Sequence, residues 1–387
     1  MKTHIIRALG AAGSAGALTL LCLIGAGGAA SASSAPVRPG PVVPVVSVRV
    51  PGSFRPTAAS FISQAWGVVL GTAGCTTSHA CRAQLAVTAD GGAHWSLLRT
   101  PAAWLANGES SLSGLPQVSQ VVFADRADGW LYNQYNGEHS WVTHDGGASW
   151  REITLPGDIQ TMAASADAVY AVVGNQLYRS PLGENAWMRV NPRTWLGPMT
   201  GNVLAVRGNS VWFGSSTYVW ASAGGVHWAR YPLRSPGTYY GQPYMLAGIA
   251  AANRWDVAFL YAAPGGMYHT GMKVMLSFNG GRSQWQTLTA PPPEGDVAAF
   301  AVAPGRFGVI AIAVVTPGLD NIYRSANLGQ TWTTYQIPGT GGGLMLNSLQ
   351  FTSPTVGSFV TGNPAFGIPG ELLRTADAGQ TWYPVGF

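Results

Sequence analysis

Charge is scarce in this sequence. Only 10% of its residues are Asp, Glu, Lys or Arg, against about a quarter in an ordinary soluble domain. The basic residues are scattered singly, with no run among them. The electrostatic footprint of a nucleic-acid-binding protein is therefore missing, and no nucleic-acid partner is expected. Cysteine is scarce as well, at 3 in the whole chain. No zinc-ligand spacing, nucleophile elbow or phosphate-cradling glycine loop occurs, so neither a metal nor a cofactor is expected. Beyond the N-terminus no apolar run is long enough to cross a bilayer.

What is present begins with that N-terminus. Lys2 and Arg7 precede an apolar stretch from about Ala8 to Ile24, and Ala30, Ser31 and Ala32 supply small residues behind it. This is the layout of an export signal over residues 1–32, cleaved after Ala32. A retained membrane anchor is the competing reading, disfavoured by the Gly/Ala-rich run and the good cleavage site. Cys22 follows Leu21, where a lipoprotein site wants a small residue. The mature protein is then expected to be secreted or held in the cell envelope, without a membrane span. Losing Lys2 and Arg7 lowers the formal charge from +5 to about +3. Cys75 and Cys81 remain, an even pair in an oxidising compartment, which points to a disulfide pinning one loop. Two free thiols are the other reading.

Residues 33–51 form a Pro/Val-rich linker, extended at first, with Val45 to Val50 able to add a strand. Hydrophobic residues at 47% give residues 52–387 ample core material, and 51 glycines with 26 prolines suit many short strands joined by tight turns. That region repeats. A turn of the form Ser/Thr-x-Asp/Asn-x-Gly-x-x-Trp occurs in full at Thr88, Asp90, Gly92 and Trp95, and again at Thr143, Asp145, Gly147 and Trp150. It returns at Ser325, Asn327, Gly329 and Trp332, and at Thr375, Asp377, Gly379 and Trp382. Degraded copies run from Ser180 to Trp187, from Ala221 to Trp228 and from Ser277 to Trp285. Each copy follows a pair of apolar strands split by a short polar turn, as in Val121 to Tyr132 and Leu349 to Val360. Two strands before the turn, one entering it and one leaving from its Trp make a four-stranded antiparallel blade. The turn chemistry is structural. The Asp or Asn accepts N–H bonds inside its own loop, the Gly takes a positive φ, and the Trp buries its ring between blades.

These turns resemble the Asp-box (bacterial neuraminidase) repeats of sialidases, sortilin-type receptors and photosystem II assembly-factor-like propellers, over about residues 55–387. The resemblance implies an all-β, seven-bladed β-propeller and says little about activity, because the Asp box lies away from the ligand face in those families. A sialidase-like glycoside hydrolase is one implied alternative. Its pattern has a Phe/Tyr-Arg-x-Pro segment, and here Phe54, Arg55 and Pro56 lack the intervening residue. Arg55 is accordingly a weak catalytic candidate, with an otherwise unknown catalytic set; a solvated Arg at the first strand is the plain alternative.

The favoured reading is a non-catalytic secreted binding or scaffold propeller for a surface glycan or protein, expected as a monomer. An assembly factor for another exported protein is the further alternative. Ligand contacts are expected on the face opposite the recurring turns, where the long connections gather. Trp104, Tyr135, Glu138, Tyr239, Tyr240, Tyr244, Tyr268 and His269 are the candidates, since exposed rings beside amides and a few charges suit sugar or peptide contact. The same rings packing their own loops is the competing reading.

Overall fold

Each repeat folds into one four-stranded antiparallel sheet whose strands follow chain order, and there are seven such sheets. The computed structural model describes residues 48–387 except 75–80, 106–115, 135–138, 175, 191–203, 267–268, 284, 317, 339–345 and 364–367. These residues belong to a compact unit, Gly40–Phe387. The export signal, Cys75, Tyr135, Glu138 and Tyr268 lie outside the described residues.

The first strands of the seven blades are Arg55–Phe61, Gln120–Phe123, Ile159–Ala164, Leu204–Arg207, Met245–Ala251, Asp296–Val302 and Asn347–Phe351. Each contacts the first strand of the next blade, and the last returns to the first. The protein is an all-β, seven-bladed β-propeller, with no helix among the described residues.

Sequence pattern sets each strand's depth. Second strands such as Gly67–Thr72 and Ala168–Val173 are buried along their whole length, as their unbroken apolar sequences require. Fourth strands such as Met188–Arg189 face solvent. The core is a set of interfaces between blades. Val68, Leu70 and Leu85 of blade 1 pack with Val121, Phe123 and Leu131 of blade 2, and comparable clusters fill the other gaps. Blades 1, 2 and 7 also share a cross-strand pair, Phe61–Gly67, Phe123–Gly129 and Phe351–Gly357. The ring covers the glycine so closely that a Cβ on Gly129 would lie 2.5 Å from Phe123.

One hydrogen-bond net recurs in blades 1, 2, 5, 6 and 7. The Thr or Ser hydroxyl accepts the N–H of the glycine four residues on at 2.8–2.9 Å, at Gly92, Gly147, Gly281, Gly329 and Gly379. The Asp or Asn Oδ1 accepts the N–H of the residue four beyond itself at 2.9–3.0 Å. In blade 3 the Ser180 hydroxyl donates to the Pro181 and Glu184 carbonyls instead. The tryptophans tie blades together. Trp150 Nε1 donates to Arg99 O at 2.9 Å, and Trp332 Nε1 donates to Thr289 O at 2.8 Å. Trp95 and Trp382 are buried against neighbouring phenylalanines.

The last blade takes all four strands from the C-terminal segment, ending with Tyr383–Pro384. Among the described residues, Val48 to Val50 do not pair beside it. Val48 O instead accepts the Leu97 N–H at 3.0 Å and Arg49 bridges Ser96, on the outer edge of blade 1. Side chains close the ring. Ser348 Oγ accepts the Ala59 N–H at 3.0 Å, while Gln350 accepts the Phe61 N–H and donates to Ala59 O, both at 3.3 Å. Arg374 of blade 7 donates to Gly91 O and Gln64 O of blade 1 and lies over the Phe61 ring. Phe387 packs on Phe54 and Trp95, each with ring centroids 4.7 Å apart.

Candidate binding site

Antiparallel order puts the turns after first and third strands on one side of the ring. The connections after second and fourth strands lie on the other side. On that second side a small hairpin, Thr238–Tyr239 with Gln242–Pro243, sits between blades 4 and 5. Its Tyr239 ring lies on bare backbone: a Cβ on Gly271 would come within 2.3 Å of it, and one on Gly265 within 2.5 Å. Tyr240 stands edge-on to Tyr239 at 4.6 Å, and Tyr244 lies 6.5 Å away. Lys273 completes the group, its ammonium 5.1 Å from the Tyr244 ring centre and donating to Pro236 O at 3.0 Å. Burial, with Tyr239 nearby, pushes the Tyr244 hydroxyl upward. Tyr240 is 80% exposed and has a φ of 46°, a left-handed backbone that a ring-bearing residue rarely adopts. The hairpin turn therefore presents one aromatic ring to solvent, backed by the half-buried Tyr239 and the buried Tyr244.

Of the sequence candidates, the structure brings Tyr239, Tyr240 and Tyr244 together. His269 belongs to the adjoining loop, its carbonyl accepting the Gly265 N–H at 2.6 Å, with its side chain exposed. Trp104 sits elsewhere, in the connection leaving blade 1, with the Arg82 guanidinium 4.8 Å from its ring. Lys273 carries no motif in the sequence; its position on the third strand of blade 5 is what brings it to the tyrosines.

Arg55 opens the first strand on the same side and is exposed. Its guanidinium donates to the carbonyls of Phe54 and Gly52 at 3.0 and 3.3 Å. A tyrosine nucleophile needs a neighbour that lowers its pKa. The described tyrosines with a resolved shift all move the other way: burial lifts Tyr132 and Tyr323 to about 12. The described ion pairs all involve histidine, at His94–Asp90 and His139–Glu152 (both 2.6 Å) and His144–Asp128 (2.5 Å).

A second feature escapes sequence reasoning. The ends of all seven first strands surround an axial cavity of about 450 Å³ on the turn side, lined by residues including Ser60, Ser165, Arg207, Gln350 and Thr352. Arg207 is the charged side chain in that lining. Its Nε donates to Ala251 O at 3.0 Å, and burial pulls the guanidinium below its usual range. In sequence Arg207 looks like any strand-ending arginine; only the ring turns it to the axis.

No protein-family profile and no curated protein matches the chain. Solved structures do. YCF48 bound to D1 peptide superposes with a TM-score of 0.54 at 19% identity, covering 85% of this chain and 95% of that one. YCF48 from Cyanidioschyzon merolae gives 0.53 at 16% identity, covering 86% and 98%. A catalytically inactive virginiamycin B lyase from Staphylococcus aureus with quinupristin gives 0.54 at 10% identity, covering 85% and 97%. What these proteins share with this chain is the propeller fold.

Proposed function

We propose that this chain is an exported, monomeric binding propeller. It holds a protein segment or a glycan on the face opposite the recurring turns, and no catalytic step is needed. The observation that carries this reading is Tyr240, 80% exposed on a backbone of positive φ and backed by Tyr239. Exposing a large ring in a strained turn costs stability, and a contact made by that ring is what offsets it. Lys273 beside the tyrosines adds a cation for a carboxylate or a sugar hydroxyl. A solved propeller of the same fold is YCF48 bound to a D1 peptide, which supports a protein ligand and keeps an assembly role for another exported protein as the second reading.

The same reading takes the recurring turns as Asp boxes, residues 1–32 as a removed signal, and Cys75 as the disulfide partner of Cys81. Cys81 is buried and held as a disulfide. N-terminal sequencing of the exported protein is expected to begin at Ser33. Mass spectrometry after alkylation, with and without reductant, is expected to show the bridge.

The functional test uses mature protein on glycan arrays and in pull-downs from the envelope and secreted fractions. A ligand retained by wild type and lost with Tyr240→Ala, at unchanged melting temperature, is the expected result. Blank screens, or release of dye from fluorogenic sialosides or other glycosides, would overturn it.

A further inference from the structure

We propose that the turn side of blades 5 and 6 carries a second binding surface, one that takes an acidic, leucine- or aromatic-bearing segment of a partner protein. Three turns meet there, at residues 252–256, 278–283 and 303–309. Gly280 N–H donates to Trp255 O at 2.6 Å and Gly305 N–H donates to Ala252 O at 3.0 Å. Asn253 Nδ2 adds a bond to Gly305 O, and the Phe278 and Phe307 rings meet edge-on at 5.5 Å. The three turns are thus one knitted surface.

Each turn contributes one exposed arginine: Arg254, Arg282 and Arg306. Two of the guanidiniums lie over Trp255, at 4.9 and 5.9 Å from the ring centroid. Trp255 is itself 43% exposed, and Phe278 is 39% exposed. Among the described residues none of the three arginines makes an ion pair. Asp256, the acid on these turns, accepts instead from Asn253 Nδ2 at 2.7 Å.

Charge around the turn side strengthens the point. The recurring turns of blades 1, 2 and 7 carry Asp90, Asp145 and Asp377, and the hairpin turn of blade 2 adds Asp125 and Asp128. The matching positions in blades 4, 5 and 6 are Ala223, Asn279 and Asn327. The recurring-turn acid has gone from those blades, and on the three turns Asp256 stands against Arg254, Arg282 and Arg306, leaving a net positive patch in a chain otherwise poor in charge.

The chemistry selects the occupant. The Trp255 ring gathers two exposed guanidiniums, and a guanidinium offers its N–H groups in the fork that matches a carboxylate. Cations over Trp255 compete with a sugar for the ring face, which disfavours a glycan. A lipid surface is disfavoured by shape: a flat bilayer large enough to cover this side would also meet the acids of blades 1, 2 and 7. A narrow chain with carboxylates for the arginines and an apolar side chain for Phe278 fits what is exposed.

The test is fluorescence anisotropy of the mature chain with a short fluorescein-labelled peptide alternating Glu and Leu. A Gln/Leu peptide, a heparin oligosaccharide and phosphatidylglycerol vesicles are run beside it. Binding of the Glu/Leu peptide is expected, weakening as salt rises from about 50 to about 200 mM. The Arg254→Glu/Arg282→Glu double variant is expected to lose roughly tenfold or more in affinity. Arg234→Glu and Tyr240→Ala are expected to leave it unchanged, which separates this surface from the tyrosine face. Equal binding of the Gln/Leu peptide, indifference to the double charge reversal, or tighter binding of heparin or vesicles overturns the proposal. Should the double variant fail to fold, the salt titration on wild type and the Glu-versus-Gln comparison decide alone.

Discussion

Replacing Arg374 tests how much its guanidinium bonds contribute to closing the ring. This arginine is only 4% exposed, donates to Gly91 O and Gln64 O across the blade 7–blade 1 seam, and covers Phe61. Hydrogen bonds from a charged donor contribute about 1.5–3 kcal/mol each. Two effects reduce the sum. Burial already pulls the Arg374 guanidinium below its usual range, so removing it recovers desolvation energy. Gln64 is exposed and Gly91 is half-buried, so water can reach the freed carbonyls. The net cost of Arg374→Met, which keeps the aliphatic stem, comes to about 2–3 kcal/mol. For a domain of this size that corresponds to a fall of roughly 3–5 °C in melting temperature. Arg324 offers the internal comparison. It makes the like contact across the blade 6–blade 7 seam, to Ala378 O at 2.6 Å, through Nε alone. Calorimetry and urea titration of Arg374→Met and Arg324→Met are expected to rank the first as the more damaging. If Arg374→Met melts with wild type, the guanidinium bonds do not hold the ring closed, and the Ser348 and Gln350 bonds with the Phe54–Phe387–Trp95 packing do so instead.

Gly129→Ala is expected to cost about 1–3 kcal/mol in urea unfolding although its backbone is ordinary, because the new methyl displaces the Phe123 ring. Acid is expected to destabilise the fold through the recurring turns. Burial raises the Asp377 carboxyl, but hydrogen bonds from Thr381 and Thr375 more than offset this and hold it at about 2; Asp90 lies below the usual range through its bonds to His94 and Thr88. A folded pKa below the unfolded value of about 3.9 gives stability that is present above that pH and lost as pH falls toward about 2. Asp377→Asn keeps the acceptor that Asn279 and Asn327 already supply in blades 5 and 6. It is expected to match wild type at neutral pH and to flatten the acid limb of a melting-temperature profile. Tyr239→Ala, which vacates the space over Gly265 and Gly271, is expected to lower the melting temperature, whereas Tyr240→Ala changes only ligand capture.

The blades were legible because their signals are short-ranged. The Thr88–Trp95 turn and its copies carry their hydrogen-bond partners within eight residues, and the Phe–Gly pairs lie six apart. Degraded copies were legible in spacing and not in chemistry: Ser180 bonds differently from Thr88. The candidate site was half legible. Tyr239, Tyr240 and Tyr244 are neighbours in sequence and in space, whereas Trp104 lies in the connection leaving blade 1, as the strand order implies, and the sequence could not say whether that connection meets the tyrosines. Nothing local marks Lys273 or Arg207, whose partners come from other elements.

Period, turn chemistry and the alternation of buried and exposed strands follow from interactions a few residues long, so the amino-acid sequence alone determined that there are seven antiparallel sheets. Ring closure depends on residues such as Ala59 and Ser348, which lie 289 apart in the chain and meet only when the circle is complete. The seam, the arginine at the axis and the three arginines gathered beside Trp255 were therefore decided by the tertiary structure. Curvature of the whole ring sets which distant side chains converge, and no local pattern encodes it.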